Sequence, residues 1–121
     1  MTYKEFNKFC GSLPATTYVR QWGGAHVWKV GGKVFAIGGW NDPRVAGITF
    51  KVNAGDFEFL QDEPGLRPAP YLASRGLKWI QQYDKPGLSD NLLKFYLRES
   101  HHLVSLGLTK KKQKELGLNQ V

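Results

Sequence analysis

The sequence has 121 residues, of which 41% are hydrophobic and 22% are charged, a composition typical of one soluble globular domain. Seventeen Lys and Arg against ten Asp and Glu leave a net charge of +7, which favours anionic partners such as nucleic acid. No stretch approaches the roughly 20 apolar residues that span a bilayer, and the N-terminus lacks the pattern of a secretory signal. We therefore expect a cytoplasmic protein, in which the single Cys10 is buried and forms no internal disulfide.

The first predicted element is a helix that begins with a capping box at Thr2 and Glu5 and ends before Pro14. Its apolar residues recur at helical spacing, so one face of this helix should pack on a sheet. Residues 15–25 contain a Gly pair and little periodicity, and they are interpreted as a loop.

Residues 26–37 predict a β-hairpin, because two runs rich in Val, Phe and Trp flank Gly31-Gly32, a pair suited to a two-residue turn. Residues 47–52 alternate in the same way and predict a third strand, joined through an Asn41-Asp42-Pro43 turn. The hairpin register predicts these opposite pairs: Val30–Lys33, Trp28–Phe35 and His26–Ile37. The side chains predicted to lie together under the helices are Trp28, Phe35, Ile37, Ile48, Phe50 and Trp79.

The second half of the chain predicts a short helix over residues 54–61, an extended Pro-containing stretch over 66–72 and a fourth strand over 77–83. A long helix follows over 90–106. This order predicts one α+β domain over residues 1–121, in which N-terminal and C-terminal helices cover one face of an antiparallel sheet of about four or more strands. The Lys-rich segment 109–121 is predicted to be auxiliary to the fold.

Several short motifs are spread along the chain. They are Leu13-Pro14-Ala15, Lys29-Val30-Gly31-Gly32-Lys33-Val34-Phe35-Ala36, Thr49-Phe50-Lys51, Arg67-Pro68-Ala69-Pro70-Tyr71-Leu72, Trp79 and Ser100-His101-His102-Leu103-Val104. Together they resemble the MmcQ/YjbR family of small bacterial proteins. The resemblance implies a frataxin-like fold and DNA binding, and it brings no catalytic motif. Frataxins bind iron through an acidic first helix, whereas Lys4, Glu5 and Lys8 leave the first helix here without an acidic cluster, so iron handling is not expected.

The sheet face opposite to the helices is predicted to expose Lys29, Lys51 and Lys78, with Arg44 and Arg75 in flanking turns. Such a surface suits the phosphate backbone of DNA, although scattered lysines on a solvated sheet face also serve to prevent aggregation. A second set of candidate phosphate contacts follows the long helix: Lys110, Lys111, Lys112 and Lys114.

No metal, cofactor or catalytic site is predicted. His101 and His102 lie about 100° apart on a helix and cannot both face one metal ion, and no nucleophile–base pair or Gly-rich phosphate loop is evident. The leading hypothesis is therefore a non-enzymatic DNA-binding module. The alternatives are a protein-interaction adaptor that uses loop aromatic residues and an open sheet face, and a binder of a small regulatory ligand. The loop aromatic residues Trp22, Trp40 and Tyr71 are also candidates for stacking on bases, although such residues more often cap the ends of a small core.

Overall fold

The computed structural model describes residues 1–39, 47–70, 72 and 75–121, and within them six antiparallel strands form one sheet accompanied by helices. The elements in chain order are α1 (Tyr3–Ser12), β1 (Thr16–Gln21), β2 (Ala25–Val30), β3 (Lys33–Gly38), β4 (Ile48–Lys51), α2 (Ala54–Leu60), β5 (Leu66–Pro68), β6 (Trp79–Gln82), α3 (Asp90–Leu106) and α4 (Lys110–Glu115). Across the sheet the strand order is β1-β2-β3-β4-β6-β5. The predicted α+β architecture is confirmed. The predicted Asn41-Asp42-Pro43 turn lies outside the described residues.

The predicted starts of α1, α2 and α3 are confirmed by their caps. In the capping box of α1, the Glu5 amide donates to Oγ1 of Thr2 and the Thr2 amide donates to Oε1 of Glu5, both at 3.1 Å. These bonds satisfy amides that have no partner inside the helix. Single side-chain caps begin the other helices: Asn53 for α2, Ser89 for α3 and Thr109 for α4.

The main core lies between the sheet and the helices, on the face of the sheet that we call the helix side. Phe35 and Phe50 are fully buried there, and the half-buried Trp28 packs against the same core, as the alternation predicted. Cys10 of α1 is also buried in this core, and burial raises the pKa of its thiol, so it is a small apolar residue here. The helices contribute Phe6, Phe57, Leu60, Leu93, Leu97 and Val104.

The prediction of a loop over residues 15–25 is wrong for its first half, since β1 occupies Thr16–Gln21 and pairs with β2. In this pairing Tyr18 lies opposite Trp28, and Gln21 lies opposite Ala25. β1 is an edge strand with several exposed side chains, so its apolar alternation is weak. The Gly pair forms the turn into β2, with positive φ at both Gly23 and Gly24.

The predicted hairpin is confirmed, but its register is correct only at Val30–Lys33, because a β-bulge at Phe35 shifts the rest. Trp28 lies opposite Ala36 and His26 lies opposite Gly38. As a result Ile37 packs with Val27 on the face of the sheet opposite to the helix side, which we call the second face. The prediction had placed Ile37 under the helices. The Ser100 hydroxyl of α3 compensates for the broken ladder: it donates to the Phe35 carbonyl at 2.6 Å and accepts from the Lys51 amide at 2.8 Å.

The fourth predicted strand exists as β6, but its side chains face the opposite way from the prediction. Ile80 pairs with Phe50 and belongs to the main core, whereas Trp79 pairs with Lys51 and is buried on the second face. The alternation of β6 therefore turns Lys78 towards the helix side.

The centre of the second face is buried, whereas the prediction had this face exposed to solvent. Val27, Ile37, Thr49 and Gln81 are all at most 2% exposed. The Gln81 amide donates to the Thr49 hydroxyl at 3.1 Å, and the Arg67 guanidinium donates twice to Oε1 of Gln81, at 2.9 and 2.7 Å. These bonds satisfy polar groups that burial would otherwise penalise.

The C-terminal segment 109–121 is part of the core, contrary to the prediction that it is auxiliary. Leu118 is 5% exposed and Leu116 packs on the same core cluster. A Cβ added at Gly31, in the hairpin turn, would lie only 2.6 Å from Cδ1 of Leu108 and 3.2 Å from Cδ1 of Leu116. The turn and the C-terminal segment are therefore in close contact, which a side chain at residue 31 would prevent.

His101 joins α3 to the connection between α1 and β1. Its Nε2 carries the proton, because it lies 2.8 Å from the Pro14 carbonyl oxygen, which can only accept. The ring also meets Phe35 edge to face, with centroids 5.2 Å apart. Burial lowers the pKa of His101, and the neighbouring His102 lowers it further, while the bond to Pro14 opposes this shift. The folded protein therefore favours neutral His101.

We expect the free energy of unfolding to fall as the pH is lowered from about 7.5 to 5. Below the unfolded pKa of histidine, about 6.5, the unfolded chain binds a proton at residue 101 more readily than the folded chain, so acid favours unfolding. Urea denaturation at pH 7.5 and pH 5 measures this fall in the free energy of unfolding. It is carried out on the parent, His101→Gln and His102→Gln. The loss should shrink in His101→Gln and persist in His102→Gln, whose ring is exposed. An equal loss in all three would exclude His101 as the cause.

Candidate nucleic-acid interface

The predicted phosphate-binding lysines of the sheet do not form one surface. Lys29 and Lys51 lie on the second face, in β2 and β4, which are the two neighbours of β3. Two strand spacings separate β2 from β4, or about 10 Å. Lys78 lies on the helix side, with its Nζ 4.8 Å from the ring centroid of Phe57. The prediction that these three lysines share one face is therefore wrong. Their role in binding stays a prediction.

The two predicted flanking arginines do not complete this surface. Arg75 is exposed, and its amide donates to the Leu72 carbonyl at 3.1 Å. Arg44 lies outside the described residues. Sequence reasoning did not single out Arg67, which is bound to Gln81 and lies 4.5 Å from the ring centroid of Tyr83. Arg67 thus closes the second face and offers little to a partner.

A different group of cations is brought together where the hairpin turn meets the C-terminal segment. Nζ of Lys33 donates to the Gly107 carbonyl at 3.1 Å, at the C-terminal end of α3. Carbonyl groups at such an end attract a cation. Lys110 follows three residues after Gly107, and Leu108 and Leu116 pack on the turn itself. We call this cluster the basic end: Lys33, Lys110, Lys111, Lys112 and Lys114.

The lysines of the basic end are exposed. Four of them lie on α4, and hydrogen bonds connect the C-terminal segment to the end of α3. The side-chain amide of Gln113 donates to the Leu108 carbonyl at 2.8 Å, and Asn119 donates to the Ser105 hydroxyl at 3.0 Å. The only carboxylate side chain in residues 101–121 is that of Glu115. The acidic residues are concentrated elsewhere, since 54–63 contains four carboxylates and no Lys or Arg, and α2 packs beside β5 and β6.

A group of aromatic and polar side chains on the helix side was also missed by sequence reasoning. The Trp28 indole N–H donates to Oδ1 of Asn7 at 2.9 Å, and the Tyr18 hydroxyl lies 2.8 Å from Nδ1 of His26. Burial lowers the pKa of His26, and Arg20 lowers it further. Nδ1 of His26 also lies 3.3 Å from the side-chain amide nitrogen of Asn7, which can only donate, so Nδ1 of neutral His26 is the acceptor. The signal available in the sequence was the Thr-Tyr-Val alternation at residues 17–19, which places Tyr18 on the same side as Trp28.

The described part of the chain shows neither the side-chain grouping of a metal site nor a helix suited to a membrane. No group of three or more His, Cys, Asp or Glu side chains there is arranged to hold a metal ion. None of the helices described is long and apolar enough to cross a membrane. Trp22, one of the aromatic residues predicted for an adaptor, is 52% exposed, while Trp40 and Tyr71 lie outside the described residues.

Comparison with known proteins identifies relatives of the whole fold. The family model described as YjbR matches residues 11–103. Among solved structures, the chain is similar to the Deinococcus radiodurans protein DR2400, family-model domain DUF419, with a TM-score of 0.82 and 25% sequence identity. That match covers 97% of this chain and 88% of the other. No curated protein matches.

Proposed function

The chain belongs to the YjbR family, and from this premise we propose that it is a cytoplasmic, non-enzymatic DNA-binding protein that contacts the phosphate backbone through its basic end. The observation that supports the proposal is the bond from Lys33 to the Gly107 carbonyl, which places Lys33 at the end of α3 that leads into the exposed lysines of α4. Glu115 is the only carboxylate side chain in residues 101–121. Lysines at a protein surface neutralise phosphates and release the counterions condensed on DNA.

The chemistry of these side chains favours binding that is independent of base sequence. An ammonium group is a compact charge, whereas direct reading of bases commonly uses the paired donors of Arg or the amides of Asn and Gln. The basic end has no arginine. Contacts to phosphate position a protein on a duplex without distinguishing its bases. We therefore expect similar affinity for unrelated duplexes and a strong dependence on salt.

The test compares two triple variants that remove the same charge from different places. In Lys110→Gln/Lys111→Gln/Lys114→Gln the basic end is weakened, and in Lys29→Gln/Lys51→Gln/Lys78→Gln the predicted lysines of the sheet are removed. Titration of each with a random duplex, at several salt concentrations, gives the affinity and its salt slope. The first variant should bind more weakly, with a slope reduced by about one unit per lost phosphate contact. The second should bind like the parent.

The outcomes separate the hypotheses. A loss confined to the sheet-lysine variant would move the site back to the residues predicted from sequence and reject the basic end. Equal loss in both would indicate a general effect of net charge. If the parent itself shows no salt-dependent binding, the DNA proposal fails and the adaptor alternative takes its place.

A further inference from the structure

A cleft on the helix side lies between α1 and the β1–β2 edge of the sheet. It has a volume of about 430 Å³ and is lined by Asn7, Lys8, Tyr18 and Trp28. Sites for small molecules usually have volumes of about 300 to 1,000 Å³. None of the cleft residues belongs to the basic end, so the cleft is separate from the proposed DNA contacts.

The aromatic walls of the cleft are held in place by hydrogen bonds within the protein. The Tyr18 and Trp28 rings have centroids 5.1 Å apart at an angle of 49°. Asn7 accepts from the Trp28 indole, and neutral His26 accepts from the Tyr18 hydroxyl. Because the hydroxyl of Tyr18 is already bonded, the exposed part of its ring is what remains for a ligand. Tyr18 is 42% exposed, whereas Trp28 is half-buried against the core and α1.

Positive charge lies at the mouth of this aromatic cleft. The exposed Lys8 lines it and also lines an adjoining cleft of about 330 Å³, together with Phe9, Ser12 and Lys94. The cations of Lys94 and Arg98 lie 6.0 and 5.4 Å from the Phe9 ring centroid. Glu5 also lines the adjoining cleft, but its carboxylate is bonded to Thr2 in the capping box. The aromatic wall of the cleft thus lies beside the ammonium group of Lys8, which also belongs to the adjoining cleft.

We propose that the cleft binds a nucleoside phosphate, with the base stacked on Tyr18 and the phosphate bound by Lys8. Every nucleobase presents a π-face, so stacking on a tyrosine tolerates any base, while an ammonium group attracts the phosphate. The ligand is either a free nucleotide or an unpaired nucleotide of a single strand, which share this chemistry. In a duplex the bases are stacked on one another, so the Tyr18 ring can stack only on the base of a free or unpaired nucleotide.

The test follows the indole N–H of Trp28 by NMR, identified by its loss in Trp28→Phe. The probes are adenosine 5′-monophosphate, adenosine, ribose 5-phosphate, a ten-residue deoxyadenosine strand and the same strand in a duplex. Adenosine monophosphate or the single strand should shift the Trp28 signal, and ribose 5-phosphate should not. The signal of Trp79, buried on the second face, should stay in place and serves as the internal control.

Variants at two positions assign the roles of the base and the phosphate. Tyr18→Ala should weaken binding by about 5- to 100-fold, the range expected for loss of base stacking, whereas Tyr18→Phe keeps the ring and should bind nearly as the parent. Lys8→Gln should weaken binding of adenosine monophosphate but leave adenosine unchanged. Lys8 is exposed on α1, so this variant is informative even if Tyr18→Ala fails to fold.

The source of the ligand follows from which probe binds. Binding of adenosine monophosphate as tight as that of the strand indicates a free nucleotide, and binding of the strand alone indicates single-stranded nucleic acid. The proposal is overturned if neither shifts Trp28, if only the duplex does, or if Tyr18→Ala binds like the parent. The variant of Lys110, Lys111 and Lys114 should keep nucleotide binding, which separates failure here from failure of the DNA proposal.

Discussion

Replacing Phe35 with alanine is expected to lower the free energy of unfolding by about 3 to 5 kcal/mol, the usual cost of removing a buried aromatic ring. Phe35 is fully buried and supports the ring of His101. It also occupies the bulge of β3, where Ser100 of α3 bonds its carbonyl. A cavity at this point would weaken the contact between α3 and the sheet. Because small domains have only about 5 to 15 kcal/mol of stability, much of the total would be lost.

Phe59→Ala is the matched control for this prediction. Phe59 belongs to α2 and is 67% exposed, so the same chemical change there should alter stability by about 0.5 kcal/mol or less. Urea denaturation of both variants measures the difference. A similar small change in the two variants would mean that the core relaxes around the missing Phe35 ring, and that Phe35 is not the main support of α3.

Truncation after Leu108 is expected to lower the melting temperature by roughly 10 to 20 °C or more. The truncation removes Leu118, which is 5% exposed, and Leu116, which covers the Gly31 turn. Loss of one buried leucine costs about 2 to 5 kcal/mol, and each kcal/mol lowers the melting temperature of a domain of this size by several degrees. Thermal denaturation of the truncated and full chains measures the effect.

Two full-length variants separate packing from charge in this result. Leu116→Ala/Leu118→Ala should reproduce most of the loss of stability, because it removes the buried side chains and keeps the lysines. Lys110→Gln/Lys111→Gln/Lys114→Gln should leave the melting temperature nearly unchanged, since these side chains are exposed. If the truncated chain melts within a few degrees of the full chain, the contacts of Leu116 and Leu118 contribute little and the segment is auxiliary after all.

Local signals in the sequence were sufficient to locate most of the elements. The caps at Thr2, Asn53, Ser89 and Thr109 each satisfy amides a few residues away, and the Gly31-Gly32 turn joins adjacent strands. Such features depend on neighbours in sequence, so a pattern can reveal them. β1 was not predicted, because an edge strand with exposed side chains lacks a full apolar alternation.

The orientation of side chains was harder to predict because the centre of this sheet is buried on both faces. Trp79 and Ile80 are both buried, on opposite faces, so hydrophobicity alone could not decide which belongs under the helices. The bulge at Phe35 has the same difficulty, since its carbonyl is bonded by Ser100, 65 positions later in the chain. A contact so distant in sequence leaves no local pattern, and one misplaced residue reverses the faces of those that follow.

The candidate sites depend on the same distant contacts. Lys33 and Lys110 were each visible in the sequence as cations, but the contact of Lys33 with Gly107 depends on packing of Leu108 and Leu116 on the hairpin turn. Lys78 was placed on the wrong face because the alternation of β6 was reversed. The aromatic cleft required β1, which places Tyr18 opposite Trp28. The composition predicted an anionic partner. The tertiary structure decides which lysine side chains lie on one surface and can contact that partner together.

The bond between the Lys51 amide and the Ser100 hydroxyl makes one backbone proton a reporter of helix docking. A side chain of α3 protects this proton, whereas neighbouring amides of β4 depend on bonds between strands. Its exchange with deuterium therefore reports the population in which α3 has separated from the sheet, even while the strands stay paired. Comparison of the Lys51 amide with that of Phe50 distinguishes partial opening of the protein from global unfolding.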